Sequence, residues 1–459
     1  MSLFVSLPAT AQKRLIFMDG YLGWHYSLPS YLIEHAEELE QRPFSGIAVV
    51  GNIFTSYVMS ANPNSNNVTY ERVWNEVGSL KDLFKIKTDN FLRINLDFPG
   101  DFWDDAVWQK TTSNFAVVAK AAKDLGFKGI VFDDEVYAGG QHIQANFMSN
   151  FKFPKRADVT AHPENYEDWE ISESVSNRGD WIDYNCTVDG IRLQDSNECS
   201  YRNEAYSFKQ HMDKVAARFK TIMHAMQDEF PDLDLLVLHG PATAHAKTNI
   251  RGHFIKPNSL FGTNEFKGAM FLGFKQGLND TASLHDLGEF YRYQTTEHFE
   301  NAYQWRKFDI VSDQYNQDLD DSYRWVVPVA DRASWSEDVD IGFMVSDVGL
   351  KDNNHEEYDL TGACNPVDFE SRLSKALKHS DEYVMFYSNT SHASCEDDVR
   401  WADTQSAIPP EWLNMMNDVF KSIQATGAEI IPIILPLLFD PADANILQKA
   451  EKSKRSKNQ

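Results

Sequence analysis

Basic residues are scarce in this chain. Its 459 residues carry 43 Lys and Arg against 68 Asp and Glu, a formal net charge of −25. General nucleic-acid binders and proteins that dock on anionic membranes need basic surface, so neither class of partner is expected. Cysteine is sparse as well. Cys186, Cys199, Cys364 and Cys395 form no C-x-x-C pair, which argues against structural zinc and thioredoxin-type redox chemistry. Their even number suits export, with Cys186 to Cys199 and Cys364 to Cys395 the shorter-loop pairings among three connectivities; four buried thiols are the alternative. Long apolar runs are missing too: nothing reaches the roughly 18 to 20 residues of a spanning helix. The stretch from Gly427 to Phe439 is broken by Pro432 and Pro436 and reads as a packed terminal segment, so no membrane insertion is expected.

Several well-specified chemistries are absent as motifs. There is no G-x-x-x-x-G-K-[ST] phosphate loop, no G-x-G-x-x-G after a strand, no G-x-S-x-G nucleophile elbow and no H-E-x-x-H zinc helix. His25, His239 and His285 lie near strand ends without metal-ligand spacing. The expectation is therefore no metal and no cofactor.

What the chain does have is aromatic content of 13%, with 11 Trp, 18 Tyr and 30 Phe, and 42% hydrophobic residues. That suits a large core, and also a cleft that stacks flat, semi-polar ligands such as sugar rings. Residues 1–11 resemble the last part of a secretory signal, an apolar stretch followed by the small-x-small pattern Ala9-Thr10-Ala11, although no basic region precedes it. This predicts a secreted or periplasmic protein; an ordinary lead-in peptide is the alternative. Residues 441–459 read as a charged, disordered tail.

Between them, short β-type runs alternate with helical patterns. The runs are Leu15 to Asp19, Gly46 to Val50, Phe91 to Asp97, Gly129 to Asp133, Leu233 to His239, Ser283 to Leu287, Asp340 to Val345 and Glu382 to Tyr387. Val326 to Val329 could serve as a strand instead of one of the last two. Helical spacing appears at Leu32, Ile33, Ala36 and Leu39, and at Phe115, Val118, Ala119, Ala122 and Leu125, where Gly126 suits a C-terminal cap. Eight β-then-α units predict an α/β fold, a (β/α)8 TIM barrel over residues 12–440, with a doubly wound open sheet as the alternative. Residues 139–203 are polar and carry little apolar periodicity, so they read as a long insertion after strand 4. Loops that follow barrel strands line the mouth. A long helix from about Glu204 to Glu229 follows, with Phe208, Met212, Ala216, Phe219 and Met223 on one face.

The densest chemistry lies in Gly129 to Tyr137, where an apolar run ends in Asp133, Asp134 and Glu135. Strand side chains alternate faces, so at least one of these acids lies against buried surface, which is costly unless the acid is paired or used. Solvated or capping acids are the bland alternative. Other strand ends add Asp19, Trp24 and His25, then Asp97, His239, Asp286 with Glu289, Asp347, and Asn389. In a barrel these positions converge on one mouth.

This layout resembles secreted glycoside hydrolases built on the (β/α)8 barrel, in which one carboxylic acid protonates the leaving oxygen and a second acts as nucleophile or base. In the large retaining clan the acid/base Glu follows strand four, commonly after Asn, and the nucleophile Glu ends strand seven. Glu135 fits the first place but follows Asp134, and strand seven offers only Asp347. The chitinase-like D-x-x-D-x-D-x-E pattern is similar in spirit but lacks a match in its alternation. The resemblance implies Glu135 as general acid and a carbohydrate substrate. Glu289 is the candidate second acid, because Gly288 allows close backbone approach and flanking aromatics desolvate the carboxyl. Asp133 or Asp134 would tune Glu135 or orient hydroxyls. Trp24 and Tyr137 are stacking candidates, and Asp19, His25, Asp97, His239 and Asn389 hydrogen-bond candidates. Trp103 is a weaker stacking candidate, since it and Trp108 read better as core. The rivals are a polysaccharide lyase, with Tyr137 or a histidine as base and Lys152, Lys155 and Arg156 as neutralising cations, and a non-catalytic sugar-binding barrel.

Overall fold

The strands form where apolar residues run without interruption, because both faces of each strand are covered. The computed structural model describes residues 13–20, 25–60, 66, 68–85, 87–96, 102–134, 187–188, 191–192, 208–241, 263–289, 293–313, 327–346, 366–388, 414–416 and 418–419. Nine parallel strands make one sheet: β1 (Arg14–Asp19), β2 (Gly46–Val49), β3 (Phe91–Asn95), β4 (Gly129–Asp133), β7 (Asp234–Val237), β8 (Ser283–Asp286), β9 (Val339–Ile341), β10 (Phe343–Ser346) and β11 (Tyr383–Ser388). A separate antiparallel hairpin, β5 (Thr187–Val188) with β6 (Ile191–Arg192), falls within the expected insertion.

The strand order is β10-β11-β1-β2-β3-β4-β7-β8-β9. Its two ends, β9 and β10, are successive pieces of one chain segment separated only by Gly342. β9 pairs with β8 and β10 with β11, so the sheet curls into a nearly closed barrel of eight staves. The open doubly wound alternative is ruled out by β1, which lies between β11 and β2.

Alternation sorts the side chains into two cores. Ile16, Met18, Ala48, Phe91, Val131, Leu236 and Met385 pack inside the barrel. Leu15, Phe17, Leu92, Ile130, Phe132 and Leu235 face outward to the helices. The long helices Asp105–Leu125, Phe208–Glu229, Thr263–Gly277, Thr296–Lys307 and Pro366–His379 follow strands in turn. Asp104 caps the first of these by accepting from Ala106 N and Val107 N, and Gly126 ends it at φ 78°, a left-handed conformation that glycine adopts without steric cost. Met212, Ala216, Phe219 and Met223 are buried along the next.

Three local readings differ. The segment around Val329 is a short helix, Val329–Arg332, with Val329 itself exposed, and Pro328 stands at its start, where proline's fixed φ and missing N–H are tolerated. Ile33 is exposed, since His35 breaks its helix into Pro29–Glu34 and Ala36–Glu40 and turns it outward. Strand seven is interrupted at Gly342. Residues 1–11, most of 139–203, Gly427 to Phe439, 441–459 and all four cysteines lie outside the described residues.

Candidate active site

The acids at the C-terminal ends of β4 and β8 gather around His239 at the end of β7, and the reason is a ladder that continues past the strands. Leu238 N donates to Phe132 O at 3.0 Å, Leu287 N to Val237 O at 2.9 Å, and Glu289 N to Leu238 O at 2.7 Å. One step beyond the end of β4, a side chain takes over from the backbone carbonyl: His239 N donates to Asp134 Oδ1 at 2.8 Å. The same oxygen lies 3.1 Å from His239 Nδ1. On the far side of the ring, Nε2 stands 2.8 Å from Glu289 Oε2, an ion-pair contact. Asp134, His239 and Glu289 thus form a carboxylate–imidazole–carboxylate line across three strand ends.

The charge on that ring follows from its neighbours. Burial is the largest influence on His239 and disfavours the imidazolium, as does the ammonium of Lys267. Glu289 and Asp134 together outweigh both and push its pKa up to about 10. At neutral pH His239 is therefore a cation between two carboxylates.

Asp133 faces the barrel interior and is ion-paired with Arg93. Arg93 Nε donates to Asp133 Oδ2 at 3.2 Å and to Asn95 Oδ1 at 3.1 Å, its Nη2 pairs with the same Asp133 oxygen, and its Nη1 donates to Asp19 O at 3.1 Å. One guanidinium thereby ties β1, β3 and β4 together beneath the mouth. Asp19 accepts the Tyr26 N–H on Oδ2 at 3.0 Å, holding the turn His25–Ser27 that His25 opens.

Asp286 has a matching cation. Arg306, from helix Thr296–Lys307, stands 3.4 Å from its Oδ1 and donates to Asp286 O at 3.1 Å and Gly342 O at 2.8 Å. Asp286 Oδ1 also accepts from Gly288 N at 2.8 Å. Burial pushes the Asp286 carboxyl up, against the pull of Arg306 and the Gly288 N–H. Gly288 adopts φ 50°, and a Cβ there would lie 2.2 Å from Arg306 Nη1. Glycine is required on both counts, and Glu289 leaves the turn aimed at His239.

Asp133 Oδ1, Asp134 Oδ2 and Asp286 Oδ2 are buried with no hydrogen-bond partner among the described residues. Unused acceptor capacity of this kind is what a polyhydroxylated ligand supplies donors for.

Of the residues singled out from sequence, the structure brings Asp133, Asp134, His239 and Glu289 to one end of the barrel, with Asp19 and the start of the His25 turn at the end of β1. Glu135, Trp24, Asp97, Tyr137, Asp347, Asn389 and the cations Lys152, Lys155 and Arg156 lie outside the described residues. Trp108 is core, stacked on Phe102 with ring centroids 4.9 Å apart, and Trp103 is partly buried against the same core. Arg93 and Arg306 were not foreseen. Their signals were present: Arg93 shares the inward register of Phe91, and Arg306 falls at helical spacing after Phe299 and Ala302. Among the described residues no group of three His, Cys, Asp or Glu has an arrangement that would hold a metal ion. No helix among them is long and apolar enough to cross a membrane.

No family model and no curated protein matches the chain. Among solved structures, it is similar to a GH5-4 broad-specificity endoglucanase from an uncultured bacterium, at 10% identity, covering 86% of this chain and 85% of that one, with a TM-score of 0.35. It is also similar to the agarase AgWH50C, at 10% identity over 88% of this chain and 49% of that one, TM-score 0.34. An exo-beta-agarase gives 11% identity over 87% and 47%, TM-score 0.33. The chain spans about half the length of these two agarases. The fold stands on the chain's own strand order: it is a (β/α)8 barrel with its acids at the C-terminal mouth.

Proposed function

We propose that the chain is a glycoside hydrolase that cleaves an oligo- or polysaccharide with two carboxyl groups. The observation that carries this reading is His239 held between Asp134 and Glu289 at the barrel mouth. A cationic imidazole in contact with Glu289 favours its ionised form, which is what a nucleophile or general base must present to an oxocarbenium-like centre. Glu135 directly follows Asp134 in the chain and takes the role of general acid. Asp134 orients His239 and so acts through it, while Asp133 is occupied by Arg93. Trp24 and Tyr137 supply stacking faces. A separation of about 5 to 5.5 Å between the two carboxyl groups would give retention of configuration, and about 6.5 to 9.5 Å inversion. An exported protein would meet such polymers directly, and the Ala9-Thr10-Ala11 pattern supports that location.

The test is release of reducing ends from neutral, uronic and sulfated polysaccharides by the purified chain, beside Glu135→Gln and Glu289→Gln, with ultraviolet absorbance followed for unsaturated products. Release by the wild type that collapses in both variants, without new absorbance, is the expected result. Growth of absorbance would overturn it in favour of a lyase. Retained binding with no release from any substrate would indicate a non-catalytic sugar-binding barrel.

A further inference from the structure

Arg93 does more than pair with Asp133. Its Nε–H is shared between Asp133 Oδ2 at 3.2 Å and Asn95 Oδ1 at 3.1 Å, so one guanidinium grips two side chains on neighbouring strands. Asn95 ends β3 and Asp133 ends β4. The two are register partners in the parallel ladder, which Leu96 N extends by donating to Asp133 O at 2.8 Å. Strand side chains alternate faces, so Asn95 shares the inward register of Phe91, a residue of the inner core. Both polar heads therefore stand side by side at the mouth end of the barrel interior.

A guanidinium can only donate, and this fixes how each head is turned. The Asn95 amide must offer Arg93 its oxygen, which leaves its NH2 group directed elsewhere, and no hydrogen bond reaches that Nδ2 among the described residues. Asp133 likewise commits Oδ2 to Arg93, while its Oδ1 is buried without a partner. A donor and an acceptor are thus left open on adjacent strands, each oriented by the same cation. Asp133 is buried and Asn95 half-buried, so the pair is approached from the Asn95 side.

An acceptor beside a donor is complementary to two hydroxyls on neighbouring carbons, one donating to Asp133 and the other accepting from Asn95. An anionic substituent fits badly, because it brings no donor to Asp133 and adds negative charge to a mouth that already holds Asp134 and Glu289. An ammonium supplies donors only, and would leave the Asn95 NH2 facing another donor.

We propose that Asn95 and Asp133 form a binding site for a vicinal diol of the substrate, with Arg93 the positioning residue that orients both. On the hydrolase reading of the mouth, on which this rests, the pair is specificity-determining. It takes a neutral sugar unit with two free neighbouring hydroxyls and rejects one in which either is substituted or engaged in a linkage, since a buried acceptor is then left unpaired.

The decisive variant is Asn95→Asp, which has the same shape and keeps an oxygen facing Arg93 but replaces the open amide donor with an acceptor. Wild type, Asn95→Asp and Asn95→Ala are compared on three oligosaccharides. Cellohexaose and mannohexaose are 1,4-linked, so their internal units keep O2 and O3 free as neighbours, in trans and cis arrangement respectively. Laminarihexaose is 1,3-linked and offers such a pair only in its terminal units. Turnover and thermal unfolding are followed, and binding of the same ligands to the Glu289→Gln protein, with and without Asn95→Asp, is measured by calorimetry. The expected result is a rise in KM of about 5- to 10-fold in both Asn95 variants on a 1,4-linked chain, the worth of one hydrogen bond. It comes with kcat less affected, a markedly smaller change on laminarihexaose, and an unfolding temperature for Asn95→Asp near that of wild type. Hydrolysis by Asn95→Asp indistinguishable from wild type would show that Asn95 serves only to hold Arg93, and overturns the diol site while leaving the hydrolase reading intact. An equal effect on all three ligands, or no binding of either 1,4-linked chain, overturns it as well. Asn95-dependent binding of a 1,4-linked chain without hydrolysis of any ligand would keep the diol site and sink the hydrolase reading. Should Asn95→Asp not fold, the same comparison with Asn95→Ala decides.

Discussion

His239 Nε2 stands 2.8 Å from Glu289 Oε2, and this contact joins residues that are 50 positions apart in the chain. The imidazolium places a positive charge directly against that carboxylate. Replacing His239 with Asn removes the charge while leaving a polar side chain. We expect kcat to fall by about 10²-fold, in the range typical of groups that manage protons or charge at a reacting centre, with a smaller change in KM. Steady-state kinetics on the substrate found by screening checks this. An unchanged kcat would remove His239 from the mechanism.

The same contact fixes a pH window. His239 titrates at about 10 in the folded protein, against an ordinary value of 6.5. Because the folded-state value is raised, the stabilisation it provides is fully present below about pH 6.5 and declines as pH rises through about 10. Denaturant unfolding of wild type and His239→Asn between pH 6 and 10.5 should show a stability difference that shrinks steadily across that interval. Asp134→Asn, which takes away one of the two anions, should move the alkaline decline to lower pH. A difference that stays constant with pH would contradict the charge assignment.

These relationships mark what the sequence could and could not disclose. All eight barrel staves were legible, within one or two residues at their ends, because a strand buried on both faces needs an unbroken apolar run, and Leu15 to Met18 or Ile130 to Phe132 can hardly be anything else. The break at Gly342 was not, since it depends on β9 and β10 meeting different neighbours. Strand-end acids were visible as such. Their partners were hidden, because an ion pair such as Arg93 with Asp133 or Arg306 with Asp286 is decided by tertiary neighbours, and arginine usually signals exposed surface. Asp133 accordingly changes from a free modulator to a carboxylate fixed in place by Arg93.

Gly288 turns the chain between Asp286 and Glu289, with φ 50° and no room for a Cβ beside Arg306. Gly288→Ala should lower the unfolding free energy by about 2 to 4 kcal/mol, combining left-handed strain with a steric clash against a buried guanidinium. Activity should fall further than stability requires, because Glu289 loses its aim at His239. Thermal unfolding together with kcat at a temperature well below the transition separates the two effects. A stable but inactive protein, or an active but unstable one, would show which of them dominates, and an unaffected protein would refute both.

At the opposite end of the barrel, Tyr383 OH donates to Asp234 Oδ2 at 2.5 Å, and Ser283 Oγ donates to the other oxygen of Asp234. All three residues begin their strands, so this cluster closes the floor, with the Tyr383 ring edge-on to Phe91 at 5.5 Å and to His285 at 4.8 Å. Burial and Asp234 push the Tyr383 hydroxyl well above its ordinary range, so it remains a donor at every pH the fold tolerates. Tyr383→Phe keeps the ring and deletes only that donor. The expected cost is about 1 to 3 kcal/mol of stability, the price of leaving a buried carboxylate oxygen short of a partner. The floor of a barrel serves stability and the mouth serves chemistry, so kcat and KM should stay within about twofold of wild type. Unfolding and kinetics measured on one preparation decide the point, and a marked loss of kcat without loss of stability would show that the floor and the mouth are coupled through the packed interior between Tyr383 and Asp133.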